Sequence, residues 1–264
     1  VGKPISKGRK EIQMSHYAVL VMSKNGGKDI EDLLAPYNEN IEVEPYVRYT
    51  REEAIEYQRD SSLENLKYWA THRERDDAKE MAERCFKHIM KSDEELYQEM
   101  VDDYDGNVDA DGNILSTYNP KSKWDWWSYG GRWDGLLRNK EGEAVDEGYA
   151  SKLDLSRNKE EYKESIEWWE ENVEKRNGEM WYSPQYYIDF YKDKETYATI
   201  RSLPIFRSVV TPDGEWHEKG KMGWFAMTSE TPEESLEWDL NFMERYIKPA
   251  IENNWYLTLV DCHI

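Results

Sequence analysis

The spacing of apolar positions divides this chain into short strands and capped helices, plus one stretch that follows neither period. Residues 16 to 22, HYAVLVM, form a nearly continuous apolar run of strand length closed by Asn25-Gly26-Gly27, which predicts a central strand. Residues 29 to 34 read as a short helix broken before Pro36, and residues 41 to 49, IEVEPYVRY, alternate as a half-exposed strand in which Pro45 marks an edge or a bulge. Thr50 with Glu53 is a capping box, so a helix follows it, and Ser92 with Glu95 predicts another. Between them Ala78, Met81, Ala82, Cys85 and Ile89 recur at helical spacing. Residues 51–104 are therefore the helical part, with Cys85 turned toward a core and His72 and His88 at ordinary helix positions.

Residues 105 to 118, DGNVDADGNILSTY, place Asp109, Asp111 and Gly112 as a calcium loop would, but Tyr118 stands where the loop needs a bidentate glutamate. A turn rich in Asp and Gly between two strands accounts for the same letters. Farther on, Tyr162, Ile166, Trp169 and Val173 step at helical spacing toward Gly178, while the Tyr-rich residues 181 to 197 give no assignable pattern. IFRSVV and EWHE flank Pro212-Asp213-Gly214 as a hairpin carrying His217, and residues 223 to 227, GWFAM, are a further strand candidate. Thr231, Pro232 and Glu234 make the strongest helix start, with Leu236, Leu240, Met243 and Ile247 as its buried stripe. In the final strand Leu257, Leu259, Asp261 and His263 point to one face, and Val260, Cys262 and Ile264 to the other. The fold class predicted is α+β: a mostly antiparallel sheet containing the first and last strands, with helices packed on one side and a helical insertion.

The stretch without a period is KWDWWSYGGRWDGLL, residues 123 to 137. Trp124, Trp126, Trp127, Tyr129 and Trp133 surround Gly130, Gly131 and Arg132, and such a segment is expected to turn as a loop. Indole and phenol rings offer flat surfaces with a donor at the edge, and a guanidinium can hold a carboxylate or phosphate bidentately. These eight residues are the candidate ligand- or partner-binding site. The competing reading makes the tryptophans core and pairs Arg132 with Asp125 or Asp134.

Composition narrows the function. Hydrophobic residues are only 38% and charged residues 34%, but an aromatic share of 14% supplies the core that keeps the chain from disorder. With 264 residues a single domain over 14–264 is expected, preceded by a polar, basic extension, 1–13, that reads as disordered or non-native, with translation starting at Met14. A net charge of −20 repels nucleic acid backbones and anionic membranes, although it would suit an acidic nucleic-acid mimic. Cys85 and Cys262 match no zinc or redox spacing, and no apolar run is long enough to cross a bilayer. Neither a nucleic acid nor a membrane is expected as a partner, and no cofactor is implied.

Chemistry, if present, rests on histidines. If the first and last strands are neighbours, His16, Asp261 and His263 meet, with His217 as a further candidate. Such a set is the candidate metal site, and His217, Asp261 and His263 are the candidate catalytic residues of a metal-assisted hydrolase. Cys262 faces away, and no HExxH, GxSxG or glycine-rich phosphate loop is present.

HYAVLV, LLAPYNENIEVEPYVRYT, KWDWWSYGGRWDGL, TPDGEWHEKGKMGWFAM and the terminal VDCHI together resemble a family of uncharacterised bacteriophage and prophage proteins. The resemblance covers most of the chain from Met14. It implies a viral or mobile-element accessory protein working in a bacterial cytoplasm, and it names no substrate; for such a protein the aromatic and Arg segment is expected to bind a host protein, a defence component included, or a small ligand.

Overall fold

The computed structural model describes residues 16–177, 180–221 and 229–264. In chain order these hold β1 His16–Ser23, α1 Ile30–Leu34, β2 Glu42–Tyr49, α2 Arg51–Thr71, α3 Ala78–Ile89, α4 Asp93–Asp103, β3 Ile114–Tyr118, β4 Trp126–Tyr129, β5 Leu137–Arg138, β6 Ala144–Val145 and β7 Glu147–Tyr149. They continue with α5 Lys159–Trp169, α6 Pro184–Tyr191, α7 Lys194–Ser202, β8 Ser208–Val210, β9 Trp216–Glu218, α8 Pro232–Phe242, α9 Lys248–Glu252 and β10 Tyr256–His263. The class is α+β. The extension 1–13, Gly178 and the strand candidate at 223–227 lie outside the described residues.

Two compact units share the chain, one taking residues up to Glu39 and from Lys121 onward, the other Asn40–Pro120. The first unit is built on a sheet in the order β4-β10-β1-β8-β9, with β7 also on β10. Its pairings are antiparallel except β1 with β8. So β1 and β10, first and last in order, lie side by side over eight paired positions, from His16↔His263 to Ser23↔Tyr256. Val19, Leu20, Val21 and Met22 are fully buried because both faces of β1 are covered, which is why the run carries no alternation. On one face Leu20, Met22, Leu257 and Leu259 pack with Trp238, Phe242, Tyr246 and Ile247 from α8 and the π-helical turn after it. On the other, Val19, Val21, Val260 and Cys262 pack with Ile30 and Leu34 of α1, Tyr37 and Trp124.

The helix at 232 starts as its letters predict, with Thr231 accepting from the Glu234 N–H and Glu234 reaching back. Of the expected stripe Ile247 is buried and Met243 packs against the core, but within α8 itself Ser235, Trp238, Asp239 and Phe242 face inward, while Leu240 is 51% exposed. The large aromatic rings claim the core because they remove more apolar surface from water than leucine. The following π turn at Met243–Ile247 then absorbs the missing N–H of Pro249.

In the second unit α2 and α4 begin at the two predicted capping boxes, both complete. His88 is a tie between helices, its Nδ1 2.7 Å from Ser62 Oγ and its Nε2 2.9 Å from Glu99 Oε2. Cys85 is half-exposed rather than core, since α3 turns Ala78 inward instead. β2 and β3 pair antiparallel with a register shift between Glu42 and Tyr46, the irregularity that Pro45 imposes. The calcium-like segment is a tight turn: Asp109 accepts from the backbone N–H of Asp111 and Asn113 and from the Asn113 side chain. Those bonds hold its carboxyl below the usual range.

The chain leaves the first unit at Glu39 and returns beside it, since the Glu39 N–H donates to the Trp124 carbonyl at 2.8 Å and Asn38 bridges to Trp124. Ends that already meet lose little when the intervening loop is shortened, because closure entropy depends only logarithmically on length. Replacing residues 40–120 by a short Gly-Ser linker is expected to leave a chain that still unfolds cooperatively in urea. A broad, non-cooperative transition would show that the inserted residues are needed for the rest to fold.

Candidate functional site

Register alone assembles the polar group at one end of the sheet. β10 pairs with β1 through His16↔His263 and with β4 through Asp261↔Ser128 and His263↔Trp126. Directly opposite residues share a face, so His16, Asp261, His263, Trp126 and Ser128 project together, beyond the end of the apolar cluster. His16 Nδ1 is 2.8 Å from Asp261 Oδ1, and His263 Nδ1 is 2.6 Å from Asp125 Oδ1. The rings touch edge to face, 5.2 Å between centroids, and the Trp126 indole stacks on His263 at 5.3 Å and 13° while meeting His16 edge-on. With the carboxylates as acceptors, both imidazoles donate from Nδ1 and keep Nε2 as the basic nitrogen. His263 Nε2 is enclosed and finds no partner among the described residues.

Asp261 is the hub. Only 2% exposed, it accepts from His16 through one oxygen and from the Arg132 backbone N–H, at 2.9 Å, through the other. That second bond requires the Gly-Gly step. Gly130 and Gly131 have φ of +58° and +57°, and a Cβ on Gly131 would stand 2.5 Å from Asp261 Oδ2, one on Gly130 2.6 Å from Asp146 Oδ2. The close approach the glycines permit is thus to the protein's own carboxylates.

The aromatic stretch is an edge strand, β4, followed by a 3-10 turn at Gly131–Trp133, not the loop expected. Both its faces carry rings, which hides the strand period. The segment divides between the two earlier readings. Trp124 is core, donating from its indole to the Leu34 carbonyl at 3.1 Å. Trp127 is half-buried on the α1 face and Trp133 half-buried on the other. Trp126, 41% exposed, Tyr129, 51% exposed, and Arg132 face out. Arg132 does not pair with Asp125 or Asp134. Asp125 holds His263, and Asp134 shares a hydrogen bond with Asp146 that raises its pKa.

The metal set does not assemble. His217 lies on β9 opposite Val209, two strands from β1, and so is separated from His16, Asp261 and His263. Among the described residues no three His, Cys, Asp or Glu side chains form a group able to hold a metal ion. Cys262 points to the opposite face against Tyr17, where burial pushes its thiol pKa well up and leaves it unreactive. Asp125 was not foreseen as a site residue. Only the β4–β10 pairing, 138 residues apart in sequence, brings it to His263.

No described helix is long and apolar enough to cross a membrane. No family model matches the chain, and comparison with curated proteins and with solved structures likewise finds no match.

Proposed function

We propose that the chain works by recognition: Trp126, on the edge strand, and Arg132, on the turn after it, dock a partner protein or a planar ligand. The observation that carries this is their presentation. Trp126 is 41% exposed and Arg132 is exposed with no ion pair among the described residues, Tyr129 is 51% exposed on the other face of the strand, and Trp124, Trp127 and Trp133 anchor the same segment from within. Trp, Tyr and Arg held on a stiff support lose little side-chain freedom on binding and dominate tight interfaces. The resemblance to phage proteins supports a host bacterial protein as the partner and the bacterial cytoplasm as the setting. The net charge of −20 disfavours nucleic acid.

Affinity capture from a bacterial lysate tests the reading. Trp126→Ala and Arg132→Ala should each reduce partner recovery at least tenfold, and Arg132→Ala should change stability by no more than about 0.5 kcal/mol, as for an exposed side chain. Recovery equal to that of the unaltered chain would remove this surface from consideration. Trp127 is unsuitable for the test, since its ring also packs against the core.

A further inference from the structure

His217, separated from the other histidines, has surroundings of its own. It borders a cleft of about 510 Å³ between the β8–β9 turn and the helical segment after α8. That volume lies within the range of small-ligand sites, about 300–1,000 Å³. Two walls are aromatic, Tyr246 and Trp255, and the Tyr246 ring lies 5.5 Å from the imidazole. Basic groups come from three separate elements: Lys24 past the end of β1, Arg245 in the π turn, and His217 itself. Lys24 makes no ion pair among the described residues, and Arg245 is held only from outside, by Glu237 at 2.7 Å.

Two carboxylates stand near the rim: Glu215 lies 3.8 Å from His217 Nε2 and offsets that group, which leaves Lys24 and Arg245 as the charge the cleft offers. Asp213 is turned into its own β-turn, accepting the Thr211 hydroxyl at 2.6 Å, and that bond holds its carboxyl below the usual range. Since the Thr211 proton is given to Asp213, the threonine oxygen accepts on its other side, where His217 Nε2 lies at 3.4 Å. The molecule as a whole is strongly acidic. Charges more than about 8 Å away are largely screened at physiological salt, so Lys24 and Arg245 dominate the field at the cleft.

We propose that this cleft binds a small planar organic anion, an aryl carboxylate or aryl phosphate, with the ring against Tyr246 and Trp255 and the charge at Lys24 and Arg245. It is a second site, independent of the Trp126 surface. Lys24 and Arg245 are both exposed, so their replacement tests binding without disturbing the fold.

Isothermal titration of the full chain at physiological salt would use benzoate and phenyl phosphate, with phenol and inorganic phosphate as partial ligands. One aryl anion should bind with one-to-one stoichiometry, at least tenfold tighter than either partial ligand. Which of the two binds identifies the anionic group. Lys24→Gln should weaken it about tenfold, Lys24→Gln with Arg245→Gln further, and Trp126→Ala not at all. Absence of saturable binding by both aryl anions at millimolar concentration would overturn the proposal, as would affinity unchanged in the double variant. Inorganic phosphate or phenol binding as tightly as the aryl anions would also overturn it, by removing the need for ring and charge together.

Discussion

Asp261→Ala is expected to destabilise the protein by about 3 kcal/mol or more, the range seen when a buried charged acceptor is removed and its donors are left unpaired. The carboxylate is 2% exposed and serves two donors at once, His16 Nδ1 and the Arg132 N–H. Trp126 meets the His16 ring edge-on, and the Gly130-Gly131 turn closes on the carboxylate from the other side. For a domain of this size that loss corresponds to a fall in Tm of roughly 6–12 °C. Asp261→Asn keeps one acceptor oxygen and should cost less. Urea unfolding of the three chains checks the order. A midpoint for Asp261→Ala equal to that of the parent would mean that the two bonds contribute nothing net.

The second large effect belongs to the ion pair beneath α8. Lys219 Nζ lies 2.6 Å from Asp239 Oδ2, both side chains mostly buried. Burial raises the Asp239 pKa, and the attraction of Lys219 only partly opposes this. Lys219→Met leaves the carboxylate in the core without its partner and should cost about 3–5 kcal/mol near neutral pH. Replacing both, Lys219→Met with Asp239→Leu, should recover most of the loss, because the apolar pair has no charge to desolvate. The pH dependence has a definite sign. A carboxyl with a raised folded pKa binds its proton more tightly folded than unfolded, so the penalty in Lys219→Met is full above that pKa. It shrinks as the pH falls through it toward the ordinary aspartate value of about 4. Denaturation at pH 8 and pH 5.5 should therefore show the larger deficit at pH 8, and a deficit that grows on acidification would assign it to something other than Asp239.

What could be read from the sequence was what is local or strictly periodic. The three capping boxes at Thr50, Ser92 and Thr231 are complete because all their partners lie within four residues. The approach of His16 to Asp261 and His263 followed from alternation in β10 once the first and last strands were taken as neighbours. The first half of the α8 stripe was misplaced, though Met243 and Ile247 were not, because Leu236 and Leu240 fit the helical period as well as Trp238 and Phe242 do, and only tertiary packing chooses between them. β4 escaped because Trp126 and Trp127 are both large and apolar although they face opposite ways. Asp125 and Arg132 were linked only to each other by proximity in sequence, whereas in the fold each is bound to β10.

The adjacency of β1 and β10 also sets the timing of folding during synthesis. The middle of the sheet is closed by two segments about 240 residues apart, so at about 5–20 residues per second the ribosome takes roughly 10 to 50 s to deliver the partner of β1. Throughout that interval HYAVLVMS lacks its longest partner strand, and an apolar segment with an open edge is prone to aggregate. A chain released before Tyr256 lacks the strand on which β1, β4 and β7 all pair, and so has no route to the native sheet.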